Sequence, residues 1–205
     1  MKITDSVYML DCTPQSHAYL ILEPEILLVD TCLPGKGKKI VEEIQSLHID
    51  PKQIKHILLT HHDADHTGSA AMLEETTGAA IWASAEDIPY ITRQKSPSGT
   101  KKFISLIMKI RQPTCIHPYP DDGQMGEVKI IPAPGHTPGH VCLLYRDVLL
   151  AGDLVVTSHG KIKPSPGFMT WNTPVLMESI QKISVYPFKW ICPAHGMPVE
   201  RGDQL

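Results

Sequence analysis

The stretch Thr60–Gly68 reads T-H-H-D-A-D-H-T-G and directly follows the apolar run Ile57–Leu59. Three histidines and two aspartates occupy the six consecutive positions from His61 to His66. Imidazole nitrogens and carboxylate oxygens are ligands of divalent metal ions, and a strand end can hold such side chains rigidly beside open space. The pattern therefore predicts a metal site where a strand ends and a helix begins. The alternative is a solvated polar loop whose histidines are incidental.

Three further candidate ligands follow apolar runs later in the chain. His136 lies in P-A-P-G-H-T-P-G-H, Asp153 in L-L-A-G-D and His195 in C-P-A-H-G. The runs before them have the length and composition of buried strands: Val128–Ile131, Val148–Ala151 and Trp190–Cys192. This repeated placement argues against the incidental loop and favours convergence of the side chains on a site for two metals.

These residues resemble the motif of the metallo-β-lactamase superfamily of hydrolases, H-x-H-x-D-H followed by a distant histidine, an aspartate and a final histidine. The resemblance spans nearly the whole chain. It implies an α/β (α+β) fold, the four-layer αββα sandwich of the metallo-β-lactamase type, with two divalent metal ions at one edge. It also implies the ligands: His61, Asp63 and His136 for one metal, Asp65, His66 and His195 for the other, and Asp153 as the bridge.

One position departs from the family pattern, because Asp63 stands where histidine is usual. Two divalent ions bring four positive charges, and Asp63, Asp65, Asp153 and a bridging hydroxide would bring four negative ones. The centre would be formally neutral and one unit less positive than with histidine. It would therefore bind hard ions such as iron or manganese more readily. Zinc is the first choice of metal, with iron or manganese as alternatives. The same departure resembles the flavodiiron branch of the superfamily, in which a carboxylate takes this place.

Two other histidines are assigned roles outside the ligand set. His62, at the variable position of the motif, is expected to face solvent or to support the centre from outside. His140 follows Pro138 and Gly139 and is expected to form a hydrogen bond near the site.

Periodicity by itself indicates only α/β or α+β, and the length fits one domain over residues 1–205. Thr173 is predicted to cap the last helix, with Pro174 at its first position. The predicted helices begin at about Gly37 (to Leu47), Thr67 and Pro174 (to Ile183). The predicted strands are Val7–Leu10, His17–Leu22, Glu25–Asp30, a strand ending at Thr60, Glu127–Pro132, Val141–Tyr145, Val148–Ala151 and a strand ending at Cys192.

Composition narrows the class of protein. A hydrophobic content of 42% in 205 residues is enough for a sizeable core, and no apolar run reaches the ~18 residues of a membrane span. Five cysteines without C-x-x-C spacing, and an N-terminus without the pattern of a signal peptide, favour a reducing cytoplasm. A formal charge of -3 with mixed signs argues against nucleic acid as a partner. The expected partner is a small-molecule substrate.

Two segments are candidate walls of a substrate site. Residues 85–126 are predicted to form a lid insertion, whose apolar run could turn Ile104 or Met108 toward the active-site mouth; simple packing is the alternative. The second wall is Phe168, Met169 and Trp171, in a loop containing glycine and proline after Asp153, where exposed aromatic side chains are hard to explain as core. The alternative for Trp171 is that it packs against the following helix.

The predicted activity is metal-dependent hydrolysis of a small ester, lactone or thioester by a hydroxide bound between two metals. Asp65 is the candidate catalytic residue, because its carboxylate could orient that hydroxide. No G-x-S-x-G nucleophile motif occurs in the sequence. Two alternatives remain open: a diiron redox enzyme related to flavodiiron proteins, which would need a separate electron donor, and a metal-binding sensor or scaffold without catalysis.

Overall fold

The computed structural model describes residues 1–97, 101–102, 108 and 110–205. A first sheet contains six strands in sequence order, antiparallel among the first three and parallel from the third onward. These strands are β1 (Val7–Met9), β2 (Tyr19–Ile21), β3 (Ile26–Val29), β4 (Ile54–Leu58), β5 (Ala80–Ala83) and β6 (Ile116–Pro118).

Helices cover the outer face of this sheet. Helix α1 (Gly37–Ser46) buries Ile40 and Ile44, whose spacing of four residues places them on one side of the helix. Two short helices, α2 (Ala64–Thr67) and α3 (Ala70–Thr77), follow β4, and α4 (Ile88–Ile91) follows β5.

A second six-stranded sheet has the order β14-β13-β10-β9-β8-β7. Strands β10 and β13 are parallel, and the other neighbouring pairs are antiparallel. A separate hairpin, β11 with β12, was not predicted. The strands are β7 (Gln124–Met125), β8 (Val128–Pro132), β9 (Val141–Tyr145), β10 (Val148–Gly152), β11 (Val155–Ser158), β12 (Lys161–Pro164), β13 (Trp190–Pro193) and β14 (Val199–Glu200).

Helix α5 (Thr173–Ser184) covers the second sheet, and its start corrects one prediction. Asn172, not Thr173, is the N-cap residue, since the Asn172 side chain accepts a hydrogen bond from the Val175 N–H. Thr173 already lies inside the helix. Both residue types are good caps, and the sequence pattern does not show which of them has the extended backbone that a cap requires.

Three apolar cores define four layers in the order helix, sheet, sheet, helix. Alternation along β3 turns Leu28 toward the core beneath α1 and α3, while Leu27 and Val29 face the core between the sheets. In β9, Leu143 faces that inner core, and Cys142 packs in the third core, beneath α5. The predicted αββα sandwich is confirmed.

Part of the predicted lid insertion contributes strands to the two sheets of the sandwich. Near its end, β6 joins the first sheet and β7 joins the second. The run from Phe103 to Ile107, including Ile104, lies outside the described residues. In the described part of the chain, no helix is both long enough and apolar enough to cross a membrane.

Candidate metal centre

The candidate ligands come from four strand ends at one edge of the two sheets. The loop that begins after β4 and continues into α2 carries His61, Asp63, Asp65 and His66. The other three follow strands of the second sheet. His136 comes after β8, Asp153 comes directly after β10, and His195 is separated from the end of β13 by one residue. Because these strands end at the same edge, the structure brings all seven predicted ligands together.

The first group comprises His61, Asp63 and His136. One carboxylate oxygen, Asp63 Oδ2, lies 3.0 Å from His136 Nε2 and 3.4 Å from His61 Nε2. Two ligand atoms at ~2.0–2.1 Å from a tetrahedral ion are roughly 3.3 Å apart, so these three atoms have the spacing of ligands around one ion.

The second group comprises Asp65, His66 and His195. His195 Nε2 lies 3.2 Å from Asp65 Oδ2, and His66 Nε2 lies 3.9 Å from the same oxygen. The Asp65 side chain is 28% exposed and is therefore the carboxylate of this group that solvent and substrate can reach.

Asp153 lies between the two groups. Its Oδ2 atom is 3.4 Å from both His136 Nε2 and His195 Nε2, and its Oδ1 atom is 3.4 Å from His66 Nε2. One carboxylate thus contacts a histidine of each group, as the predicted bridging role requires.

The donor set fits two divalent cations. His61 Nε2 and Asp153 Oδ1 are buried without a hydrogen-bond partner among the described residues, although buried polar atoms are rarely left unpaired. Both atoms point toward neighbouring nitrogen and oxygen donors of the cluster. Four imidazoles and three carboxylates are suitable ligands for zinc, and also for iron or manganese.

The cluster holds two of its carboxylates charged and one of its imidazoles neutral. Burial alone would raise the pKa of Asp63 and of Asp153, but facing imidazoles lower both well below the usual range, so both carboxylates are charged. Burial holds the pKa of His61 well below its usual value, which keeps this imidazole neutral. Burial would also lower the pKa of His195, but Asp153 and Asp65 raise it to about 10.

Asp30 orients the His66 ring through a contact with its Nδ1 atom. The Asp30 carboxylate accepts hydrogen bonds from the Thr60 N–H and the Thr60 hydroxyl, and its Oδ2 atom lies 2.8 Å from His66 Nδ1. An N–H at Nδ1 leaves the Nε2 lone pair of His66 facing the centre. This role of Asp30 was not predicted from the sequence, although Asp30 follows β3, the neighbour of β4 in the sheet.

His62 supports Asp63 from outside the centre, which is the second of its two predicted positions. Its ring is buried and stacks on Tyr90 at a centroid distance of 4.5 Å. His62 Nε2 lies 3.6 Å from Asp63 Oδ1, and His62 Nδ1 lies 3.0 Å from Asp87 Oδ2. Asp87 was not singled out in the sequence, where it lies within the predicted lid.

Asp87 ties the motif loop to the loop that carries His136. Its buried carboxylate accepts hydrogen bonds from the His62 N–H, the Thr137 hydroxyl and the Gly139 N–H, at 3.0, 2.8 and 2.8 Å respectively. The His62 ring, followed by the bonds from Thr137 and Gly139, lowers the pKa of Asp87, although burial opposes the shift.

His140 holds the backbone of the bridging residue, in agreement with its predicted hydrogen-bonding role. The Asp153 N–H donates to His140 Nε2 over 3.0 Å. Burial lowers the pKa of His140 to about 3, so the ring is neutral and able to accept this bond. Gly152 makes the approach possible, since its φ is +50° and a Cβ there would lie 2.7 Å from His140 Nε2.

A cleft of about 270 Å³ opens beside Asp63 and Asp65. Its walls are partly apolar and include Met108 of the predicted lid and Met169 of the second predicted wall. It is also lined by three basic side chains: Arg93, Lys95 and Lys101.

An adjoining cavity of about 160 Å³ lies beside His136 and is lined by Phe168, Met169 and Trp171. Phe168 is 74% exposed and Trp171 is 52% exposed, so neither is a core residue. The Trp171 N–H also donates to the carbonyl of His136, which ties this wall to the centre.

The sequence and the fold are similar to those of known metallo-hydrolases. The family model of the metallo-β-lactamase superfamily matches residues 13–195. The probable metallo-hydrolase YflN of Bacillus subtilis is 27% identical, over 95% of this chain and 81% of YflN. A hydroxyacylglutathione hydrolase of Shewanella baltica is 25% identical over 80% of this chain, which matches only 53% of that protein.

Two solved structures show the same fold. The Rm3 metallo-β-lactamase superimposes with a TM-score of 0.74 at 23% identity, over 93% of this chain and 75% of that chain. TTHA1623, solved in a di-iron-bound form, superimposes with a TM-score of 0.72 at 22% identity, over 92% of this chain and 91% of that chain.

Proposed function

The chain belongs to the metallo-β-lactamase superfamily of hydrolases, and we propose that it hydrolyses a small, negatively charged ester, lactone or thioester at a centre of two divalent metal ions. One observation carries this proposal: seven candidate ligand side chains converge, and two of them, Asp63 and Asp65, also line a cleft with cationic and apolar walls.

The ligand assignment follows the two groups. His61, Asp63 and His136 would hold one ion, Asp65, His66 and His195 the other, and Asp153 would contact both. Such ions supply an ionised water near neutral pH and stabilise the negative charge that develops on the attacked carbonyl oxygen. Zinc is the proposed metal. Iron is the main alternative, because Asp63 adds a hard ligand and a structural neighbour was solved with two irons.

The protein residues supply orientation and proton handling. The exposed edge of the Asp65 carboxylate faces the cleft and can accept a hydrogen bond from the attacking water, which orients that water toward the substrate. The backbone and side-chain contacts of Asp30, His62 and Asp87 keep the ligands in place during the reaction. Phe168, Met169 and Trp171, which line the cavity beside His136, would exclude water from one side of a bound acyl group.

The cleft determines the proposed substrate class. A volume of about 270 Å³ suits a small molecule and not a polymer. Arg93 and Lys95 favour a substrate that carries a carboxylate or another anion, and Met108, Ile110 and Met169 favour an apolar portion beside it. A relative whose substrate by name is a hydroxyacylglutathione supports the thioester among the three bond types.

We also propose a reducing, cytoplasmic setting for this activity. All five cysteines are free thiols, and three of them, Cys32, Cys142 and Cys192, are buried in the cores. Thiols in a protein of an oxidising compartment are usually paired.

A substrate panel tests the proposed reaction. Zinc-loaded protein would be assayed against matched esters, lactones and thioesters with and without a carboxylate, and Asp153→Ala would be assayed beside it. We expect the anionic compounds to be hydrolysed with the higher kcat/KM and the variant to be inactive. No hydrolysis of any compound by protein that contains two metals would instead support the non-catalytic sensor.

An arginine pair tests the binding of the anion. Arg93→Ala is expected to raise KM for the anionic substrate about tenfold at little change in kcat, since Arg93 lines the cleft and is not one of the candidate ligands. The control is Arg146→Ala, whose guanidinium pairs with Glu127 instead. Equal KM values for the two variants would exclude Arg93 as an anion-binding residue.

A further inference from the structure

Lys101 is the basic side chain nearest to the candidate metal centre among the described residues. Its Nζ atom lies 2.6 Å from Asp63 Oδ2 and donates to the carbonyl of His136 over 3.1 Å. The Lys101 side chain is only 11% exposed. This cation therefore contacts two residues of the first ligand group and has little contact with solvent.

The oxygen that Lys101 contacts is the one that faces the other ligands. Asp63 Oδ2 lies 3.0 Å from His136 Nε2 and 3.4 Å from His61 Nε2. The other oxygen, Oδ1, lies beside His62 Nε2. Lys101 thus contacts the carboxylate oxygen that faces the other candidate ligands, and the His62 ring lies beside the opposite oxygen.

The charge of Lys101 offsets the charge that Asp63 adds. The family pattern has a neutral histidine at this position, and an aspartate makes the centre one unit more negative. A lysine ammonium in contact with that aspartate returns the sum to its previous value. The pair of Asp63 and Lys101 has the same formal charge as one neutral histidine.

We propose that Lys101 balances the charge of Asp63 beside the first metal, so that the two residues together replace the usual histidine. The inference rests on metal binding under the proposed function, but not on the substrate. It identifies a residue that the ligand motif does not contain and that lies 35 residues or more from every ligand of the motif loop.

The test is a double-mutant cycle on metal affinity. Zinc affinity of the first site would be measured by competition with a chromophoric chelator at pH 7.5 for the unaltered protein, Asp63→His, Lys101→Met and the double variant. Asp63→His leaves Lys101 unbalanced beside a dication, and we expect at least about tenfold weaker binding from unit charges this close. Lys101→Met removes a positive charge, and we expect tighter binding by a similar factor.

The double variant has the charge of the unaltered protein, and its affinity is expected to return to within about threefold of that protein's affinity. Lys101→Arg, which keeps the charge, is expected to stay near the unaltered value. Lys95→Met is the control, because the Lys95 ammonium lies over the Tyr90 ring instead of beside Asp63. Its affinity is expected to change less than twofold.

The outcomes separate this inference from the proposed function. Absence of bound metal in the unaltered protein would contradict both. Normal metal binding with two single variants that shift in the same direction, or with a double variant that binds as weakly as Asp63→His, would contradict the role of Lys101 alone.

Discussion

At the scale of single residues, the candidate centre depends on side chains that bind no metal. Asp30 fixes the ring of His66, His140 holds the backbone of Asp153, and Asp87 fixes His62. These partners set the direction of ligand lone pairs, and such contacts usually contribute strongly to metal affinity.

The contact between Asp30 and His66 gives the first prediction. Asp30→Asn removes the charge that fixes the Nδ1 proton of His66, and we expect 10–100-fold weaker zinc binding at the second site. Chelator competition measures this affinity. Asp121→Asn is the control, because Asp121 is exposed and lies in a turn. If Asp30→Asn bound zinc as tightly as the control does, the contact with Asp30 would not be what orients His66.

Gly152 gives the second prediction. Gly152→Ala must adopt a φ of +50° and place a Cβ 2.7 Å from His140 Nε2, so we expect a loss of about 2–4 kcal/mol in the free energy of unfolding. Gly160→Ala is the matched control, since Gly160 has a φ of +74° but no atom within 4 Å of its added Cβ. Urea denaturation of the metal-free proteins measures both. Equal losses would mean that the close contact with His140 has no cost.

The sequence identifies ligand residues better than the residues that support them. His61, Asp63, Asp65 and His66 stand in one short motif, so their chemistry is visible as a pattern. Asp30, Asp87 and Lys101 lie in three separate segments, and their roles arise only when the strands and loops meet. An isolated aspartate or lysine has no local signal that separates it from a solvated surface charge.

At the scale of elements, the loop that carries His136 is held by the start of α5. The Asn172 N–H donates to the carbonyl of Gly135, the Trp171 N–H donates to the carbonyl of His136, and the Ser179 hydroxyl donates to the carbonyl of Pro134. The N-cap residue of α5 is therefore hydrogen-bonded to the loop that carries the candidate ligand His136.

The cap gives the third prediction. Asn172→Ala removes the side-chain acceptor for the Val175 N–H, and we expect a loss of about 1 kcal/mol in the free energy of unfolding. Asn172→Asp keeps an acceptor at this position and is expected to differ from the unaltered protein by only a few tenths of a kcal/mol. Urea denaturation of the metal-free proteins measures both changes in the free energy of unfolding. If Thr173 were the cap after all, Asn172→Ala would have no effect and Thr173→Ala would.

Element boundaries were predictable where burial alone sets them. The predicted strand Val141–Tyr145 matches β9, and the predicted helix from Gly37 matches the start of α1, because an apolar run and a helical spacing mark them directly. The hairpin of β11 and β12 was missed, since Lys161 and Lys163 leave little apolar pattern in its second strand. Strand β12 is therefore defined by its pairing with β11 and not by burial.

At the scale of the whole molecule, two sheets that pack face to face bring distant segments to one edge. His61 and His195 are far apart in sequence, but each follows a strand that ends at this edge. The αββα layers were predictable from the family resemblance and not from periodicity, which indicates strands and helices without their arrangement.

The protonation of the assembled cluster gives the fourth prediction. Asp153 and Asp65 hold the pKa of His195 at about 10, and neighbouring carboxylates hold that of His66 well above its usual value, although burial opposes both shifts. Both rings are therefore protonated in metal-free protein near pH 7 and must lose a proton to bind metal. Zinc binding should therefore release about two protons per chain or more, and the affinity should weaken as the pH falls.

Zinc titration of metal-free protein in weakly buffered solution with a pH indicator measures this release. His195→Ala lacks one of the two rings and is expected to lose the ion of the second site, so that His66 also keeps its proton and about two protons fewer are released. An affinity that is independent of pH between about 6 and 9, with no proton release, would contradict the assigned protonation states.

The central claim is that this chain holds two metal ions with the seven ligands of its strand ends. Metal content by inductively coupled plasma mass spectrometry, on protein purified without nickel affinity and then loaded with zinc, tests it most directly. We predict about two zinc ions per chain, and about one in each of His136→Ala and His195→Ala, since these two residues belong to different ligand groups. Less than one ion per chain in the unaltered protein, or a content that neither variant changes, would contradict the account.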